Sequence, residues 1–87
     1  MNEETGGTAS IEALLRRLLG DIAPDADPTA LDPDDDVRDA LDLDSVDFLN
    51  FVVAVHDATG VDIAERDYPQ VRTVRSCATY VAARAHG

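Results

Sequence analysis

Leu41-Asp42-Leu43-Asp44-Ser45-Val46-Asp47-Phe48-Leu49 is the stretch on which the reading of this chain turns. An acid precedes the serine, and a nearly unbroken apolar run follows it through Phe51, Val52, Val53 and Val55. That order places a hydroxyl in the first turn of a helix, exposed and within reach of another protein. The helix is expected over 45–59, with Gly60 as the residue that ends it. Taken alone, a serine before an apolar run is also an ordinary N-cap.

On a wheel of about 100° per residue the helix shows two apolar arcs. Phe48, Phe51, Val52 and Val55 fall on one. Val46, Leu49 and Val53 fall on the other, with Asp47, Asn50 and Asp57 on one border and Ser45 and His56 on the opposite border. A small domain has one core, so the first arc is the expected core contact. The second is either an exposed docking stripe or a surface that the preceding loop covers.

Outward from this helix, Ile11, Leu14, Leu15, Leu18, Leu19 and Ile22 recur at helical spacing, with Ser10 as the expected N-cap and Pro24 as the stop. Residues 1–8 read as a disordered tail. A long aspartate- and proline-rich loop then joins the first and second helices. Leu31, Val37, Leu41 and Leu43 are its expected apolar anchors. Val61 and Ile63 turn the chain back to the core, and 62–70 holds one short helical turn stopped by Pro69. Thr73 caps a last helix whose stripe is Val74, Cys77, Ala78, Val81 and Ala82. Residues 86–87 are a tail. No segment alternates as a strand would. The expected fold is all-α: over 9–85, a small bundle of three main helices plus one short helix.

The chain has 87 residues, which makes one domain with one modest core. Its formal net charge is −11, so nucleic acid is excluded as a natural partner and basic protein surfaces are favoured. Excess acid also simply maintains solubility, and composition does not choose between the two. The single cysteine, Cys77, rules out an internal disulfide and reads as a small core residue. No secretory leader or membrane-spanning run is visible, so a soluble cytoplasmic monomer is expected. His56 stands three helical turns from Ser45 and His86 lies in the tail, so no Ser-His-Asp catalytic arrangement is evident.

The Asp44-Ser45-Val46-Asp47 motif, the preceding acidic loop, Gly60-Val61-Asp62-Ile63 and Thr73-Val74 together resemble the acyl carrier protein family over roughly Ser10 to Ala85. The resemblance implies a non-catalytic carrier, and the absence of flanking catalytic domains favours a stand-alone one. Ser45 would bear 4′-phosphopantetheine, transferred from coenzyme A by a phosphopantetheinyl transferase, with cargo held as a thioester. It implies further partners: an acyl-loading ligase or acyltransferase, and a downstream synthase or transferase of fatty acid or polyketide type. Asp44, Val46, Asp47, Leu49, Val53 and Asp57 would dock those partners. Phe48, Phe51, Val52 and Val55 would line a cargo cavity. No metal site is implied.

The chain departs from the family in several places. Asp42 stands where glycine is common, which implies a different local backbone. Asn50 and His56 replace frequent acids, so docking should lean on apolar contact. Phe48 stands where a small or polar residue is common, and Thr59 where a large apolar one is. Phe48 is thus expected to fill space otherwise open to a growing acyl chain, which favours shorter, more polar or unsequestered cargo. Three other readings remain: an aminoacyl or peptidyl carrier, a non-covalent acidic adaptor, and a calcium loop at Asp32, Asp34 and Asp36. The last lacks the glycine and the closing glutamate of an EF-hand, having Val37 and Leu43 there.

Overall fold

Leu15 and Leu19 are fully buried, one helical turn apart, and they define the inward face of the first helix, α1 (Asn2–Ile22). The computed structural model describes residues 2–85, with side chains from Thr8 onward. Ile11, Leu18 and Ile22 extend the same face as partly buried contacts. α1 starts earlier than the sequence implies. Ser10 therefore lies inside the helix and caps nothing, and 2–8 belongs to α1. Met1 and the tail 86–87 lie outside the described residues.

The long connection contains more structure than its composition implies. Asp27 caps a 3₁₀ turn at Pro28–Ala30. Asp36 caps a single helical turn, α2 (Val37–Ala40). In each case an aspartate carboxylate accepts a backbone N–H two residues on, which is why a run of aspartates can shape a loop as well as solvate it. Arg16 of α1 holds the first turn by donating from Nη1 to the carbonyls of Pro28 (2.6 Å) and Leu31 (2.7 Å). Leu31, Val37 and Leu43 are buried as expected, and Leu41 packs partly against them.

The loop is tied to the far end of the chain by polar contacts. Val37 donates its N–H to the Arg72 carbonyl at 2.7 Å, within an isolated bridge between Asp36 and Thr73. The Asp36 carboxylate also pairs with the Arg72 guanidinium at 2.5 Å. Asp34 accepts from Arg75 Nε at 2.6 Å.

Asp42 adopts φ 55°. Aspartate thus takes the left-handed backbone that glycine takes without strain. The helix α3 (Ser45–Thr59) follows and ends at Gly60, whose φ of 75° and N–H bond to the His56 carbonyl close it. Beyond Val61, a 3₁₀ helix spans Glu65–Val71. Pro69 lies within this element rather than ending it. Its fixed φ suits the 3₁₀ backbone, and the fully buried Val71 anchors the end. The last helix, α4 (Val74–Ala85), begins as expected with the Thr73 hydroxyl accepting the Ser76 N–H at 3.0 Å. α1 packs against α3 and α4, and the Glu65–Val71 segment covers α4. No strand occurs among the described residues, so the fold is the small all-α bundle read from the sequence.

Cys77 is fully buried between these helices, and burial pushes its thiol up to about 12. Tyr80 is also raised, by burial and then by donating its hydroxyl to Asp67 at 2.8 Å. Both groups keep their protons in the folded state after the unfolded chain has lost them. Folding stability should therefore hold below about pH 9 and fall as pH rises from there toward 12. Thermal melts between pH 8 and pH 11, on the order of the relevant thiol and phenol range, should show this decline, and Cys77→Ala should make it shallower.

Candidate functional site

The start of α3 is built from Leu43 and Phe48, both buried, with Asp44 between them as N-cap. Asp44 has extended backbone, and its Oδ1 accepts the Asp47 N–H at 2.8 Å. Asp47 returns the interaction, its Oδ2 accepting the Asp44 N–H at 3.4 Å. This reciprocal box satisfies a helix donor that would otherwise lack a partner. It also settles the role of the neighbouring residue. Ser45 is the first residue inside the helix and does not cap it. Its side chain is exposed and makes no hydrogen bond among the described residues.

An exposed hydroxyl here is well placed for an attached anion. The remaining free N–H groups and the positive end of a helix dipole favour negative charge at this end. The site therefore fits a phosphodiester on Ser45. No described side chain is hydrogen-bonded to the serine hydroxyl as a base would be. His56 is exposed near the other end of α3, where Nδ1 donates to the Val61 carbonyl at 3.0 Å and lies 3.3 Å from Asp62.

The two apolar arcs separate as the wheel implies. Phe48, Phe51, Val52 and Val55 are buried. Val46, Leu49 and Val53 are 64%, 48% and 50% exposed, so the loop does not cover them. They form an open stripe leading away from Ser45. Asp44 and Asp57 are exposed along its borders, and Asp47 is half-buried. Asp44 and Asp47 each use one oxygen in the capping box.

The four inward residues do not share one cavity. Phe51 and Val55 are sealed in the core. Val52 borders an open cleft with Val53 and His56. Phe48 borders a different cleft of about 500 Å³, into which Ser45 itself opens. Its other walls include Arg38, Leu49, Tyr68 and Arg72. The Phe48 ring meets Tyr68 edge-on at 5.9 Å, and the guanidiniums of Arg38 and Arg72 lie 5.9 and 5.8 Å from its centre.

Arg38, Tyr68 and Arg72 carried no functional signal in the sequence. They come from three separate segments, and only the helical capping by Asp36 next to Arg38 leaves a local trace. The aspartates of the candidate calcium loop are occupied separately. Asp32 accepts the Asp34 N–H, Asp34 pairs with Arg75, and Asp36 pairs with Arg72. Among the described residues no three acidic, histidine or cysteine side chains are grouped to hold a metal. No described helix is long and apolar enough to cross a membrane.

A family model described as a phosphopantetheine attachment site matches residues 9–81. No solved structure matches the chain.

The capping geometry predicts unequal costs for two adjacent truncations. Asp44→Ala should destabilise the fold by about 1 kcal/mol, the usual loss for an N-cap. Ser45→Ala should change stability by less than about 0.5 kcal/mol, as for a surface residue without partners. Urea unfolding of both variants checks this ordering.

Proposed function

Because the chain belongs to the phosphopantetheine-attachment-site family and carries 4′-phosphopantetheine covalently, we propose that it is an acyl carrier protein with Ser45 as the attachment residue. The bound group supplies a terminal thiol on which cargo is held as a thioester. Carrier domains of this kind are generally not catalytic, and they work with a phosphopantetheinyl transferase and synthase enzymes. The observation that carries the assignment to Ser45 is its free, exposed hydroxyl beside a cap that Asp44 already provides. The buried Cys77, with its thiol pushed up to about 12, is not the working sulfur. A bare adaptor without a covalent arm does not accord with the family.

Docking follows from the surface around the serine. Val46, Leu49 and Val53 offer an apolar strip, while Asp44, Asp47 and Asp57 offer negative charge to basic residues of the transferase, an acyl-loading enzyme and a downstream synthase. With Asn50 and His56 in place of acids, apolar contact should contribute more and electrostatic steering less.

The cargo is proposed to be short or polar acyl groups. Phe48 fills the inner wall of the cleft, and Phe51 and Val55 close the core behind it. A long aliphatic chain would have to displace these side chains, and repacking a filled core typically costs about 1–3 kcal/mol.

Incubation with coenzyme A and a permissive transferase should add one phosphopantetheinyl group by intact mass. Ser45→Ala should remove that gain, and Val46→Glu should slow it while leaving the melt intact. No mass gain with a competent transferase would sink the assignment. A series of loaded acyl chains should show no increase in burial with length by NMR. A long chain found inside the bundle would refute the cargo reading, and Phe48→Ala should then be the variant that admits it more readily.

A further inference from the structure

From the two arginines beside the serine, we infer that the Ser45 cleft is a seat for an acyl group ending in a carboxylate. The inference rests on the carrier reading and narrows its cargo. Of the seven described arginines, Arg17 and Arg66 are exposed and border no part of this cleft. Arg16 binds two carbonyls, Arg75 binds Asp34, and Arg84 lies near Asp67 and over the Tyr80 ring. The two at the cleft have donors to spare. Arg38 is half-buried and pairs with no carboxylate among the described residues. Arg72 engages Asp36 through Nη2, but its Nε is buried and has no acceptor.

A buried donor without an acceptor is costly, and an acceptor that reaches the guanidinium offsets part of that cost. The donors stand over an aromatic floor of Phe48 with Tyr68 at its edge, where a ligand's apolar part can rest. The cleft, at about 500 Å³, falls within the size of small-ligand sites. Its opening at Ser45 means that an arm anchored there can fold back into it.

The charge of the ligand follows from the donor type. A carboxylate accepts two parallel, charge-assisted hydrogen bonds from a guanidinium's fork, a match that a single neutral carbonyl does not make. Asp36 offsets part of the Arg72 charge, and Glu65 on the cleft wall is exposed to solvent. Arg38 is therefore the main source of selectivity, with the Arg72 guanidinium beside it on the same ring. The arm's own phosphodiester is the competing anion, and the experiment must separate the two.

The protein is loaded through coenzyme A analogues with stable, amide-linked cargo of matched length: butanoyl with a methyl end, and succinyl with a carboxylate end. Intact mass first establishes loading on Ser45, and failure at this step overturns the carrier reading. With loading established, the succinyl form should melt a few degrees above the butanoyl form, and the Arg72 Nε–H resonance should shift only in the succinyl form. The melting difference should shrink at high salt and vanish in Arg38→Gln, compared only between forms whose full loading intact mass has established. Equal melting of the two forms, a difference that survives Arg38→Gln, or a full Arg72 shift in the arm-only form would overturn the inference. The last result would assign the arginines to the phosphodiester.

Discussion

The hydrogen bond from the Asp47 N–H to the Asp44 carboxylate determines where α3 begins. The starting point of a helix fixes its phase, because each residue turns the next by about 100°. With Asp44 outside the helix and Ser45 in its first turn, Phe48, Phe51, Val52 and Val55 face inward and Val46, Leu49 and Val53 face out. Leu43 and Phe48, buried on either side of the cap, hold that phase against the core. A one-residue shift would turn the stripe and the serine toward different surroundings. The exposure of the serine, the openness of the stripe and the position of the cleft all descend from this one local arrangement.

The aspartate-rich connection is a structural device as much as a solvated surface. Asp27 and Asp36 each form a short cap, and Asp34 and Asp36 tie the loop to arginines at the start of α4. These exposed or half-exposed pairs each contribute modestly to stability. Their effect is mainly geometric: with Val37 fully buried, they keep α2 against the end of the Glu65–Val71 segment. That placement brings Arg38 and Arg72 to the same aromatic ring. The cleft beside the serine exists because three segments distant in sequence converge there.

The reading of Asp42, Ser10 and Pro69 shows where local rules reach their limit. Asp42 stands where glycine is common, and its backbone is left-handed, a conformation that aspartate tolerates better than most residues. Ser10 has the residue type of a cap, but the helix runs through it. Pro69 reads as the stop of a helical turn, but its fixed φ fits the 3₁₀ backbone and the burial of Val71 carries the segment past it. Residue preference gives a correct list of options in each case, while neighbouring packing chooses among them.

Sequence alone determined the all-α class, the limits of α3, its two apolar faces and the prominence of Ser45. These features are set by near neighbours: helical periodicity acts over three or four positions, and caps act over two or three. Tertiary structure decided that Asp44 rather than Ser45 is the cap, that the outer stripe stays uncovered, and that Phe48 and Val52 border separate clefts while Phe51 and Val55 line none of the space beside the serine. It alone grouped Arg38, Tyr68 and Arg72 around Phe48. Such a grouping depends on how separate elements pack, and no periodicity within one segment encodes the distance to another.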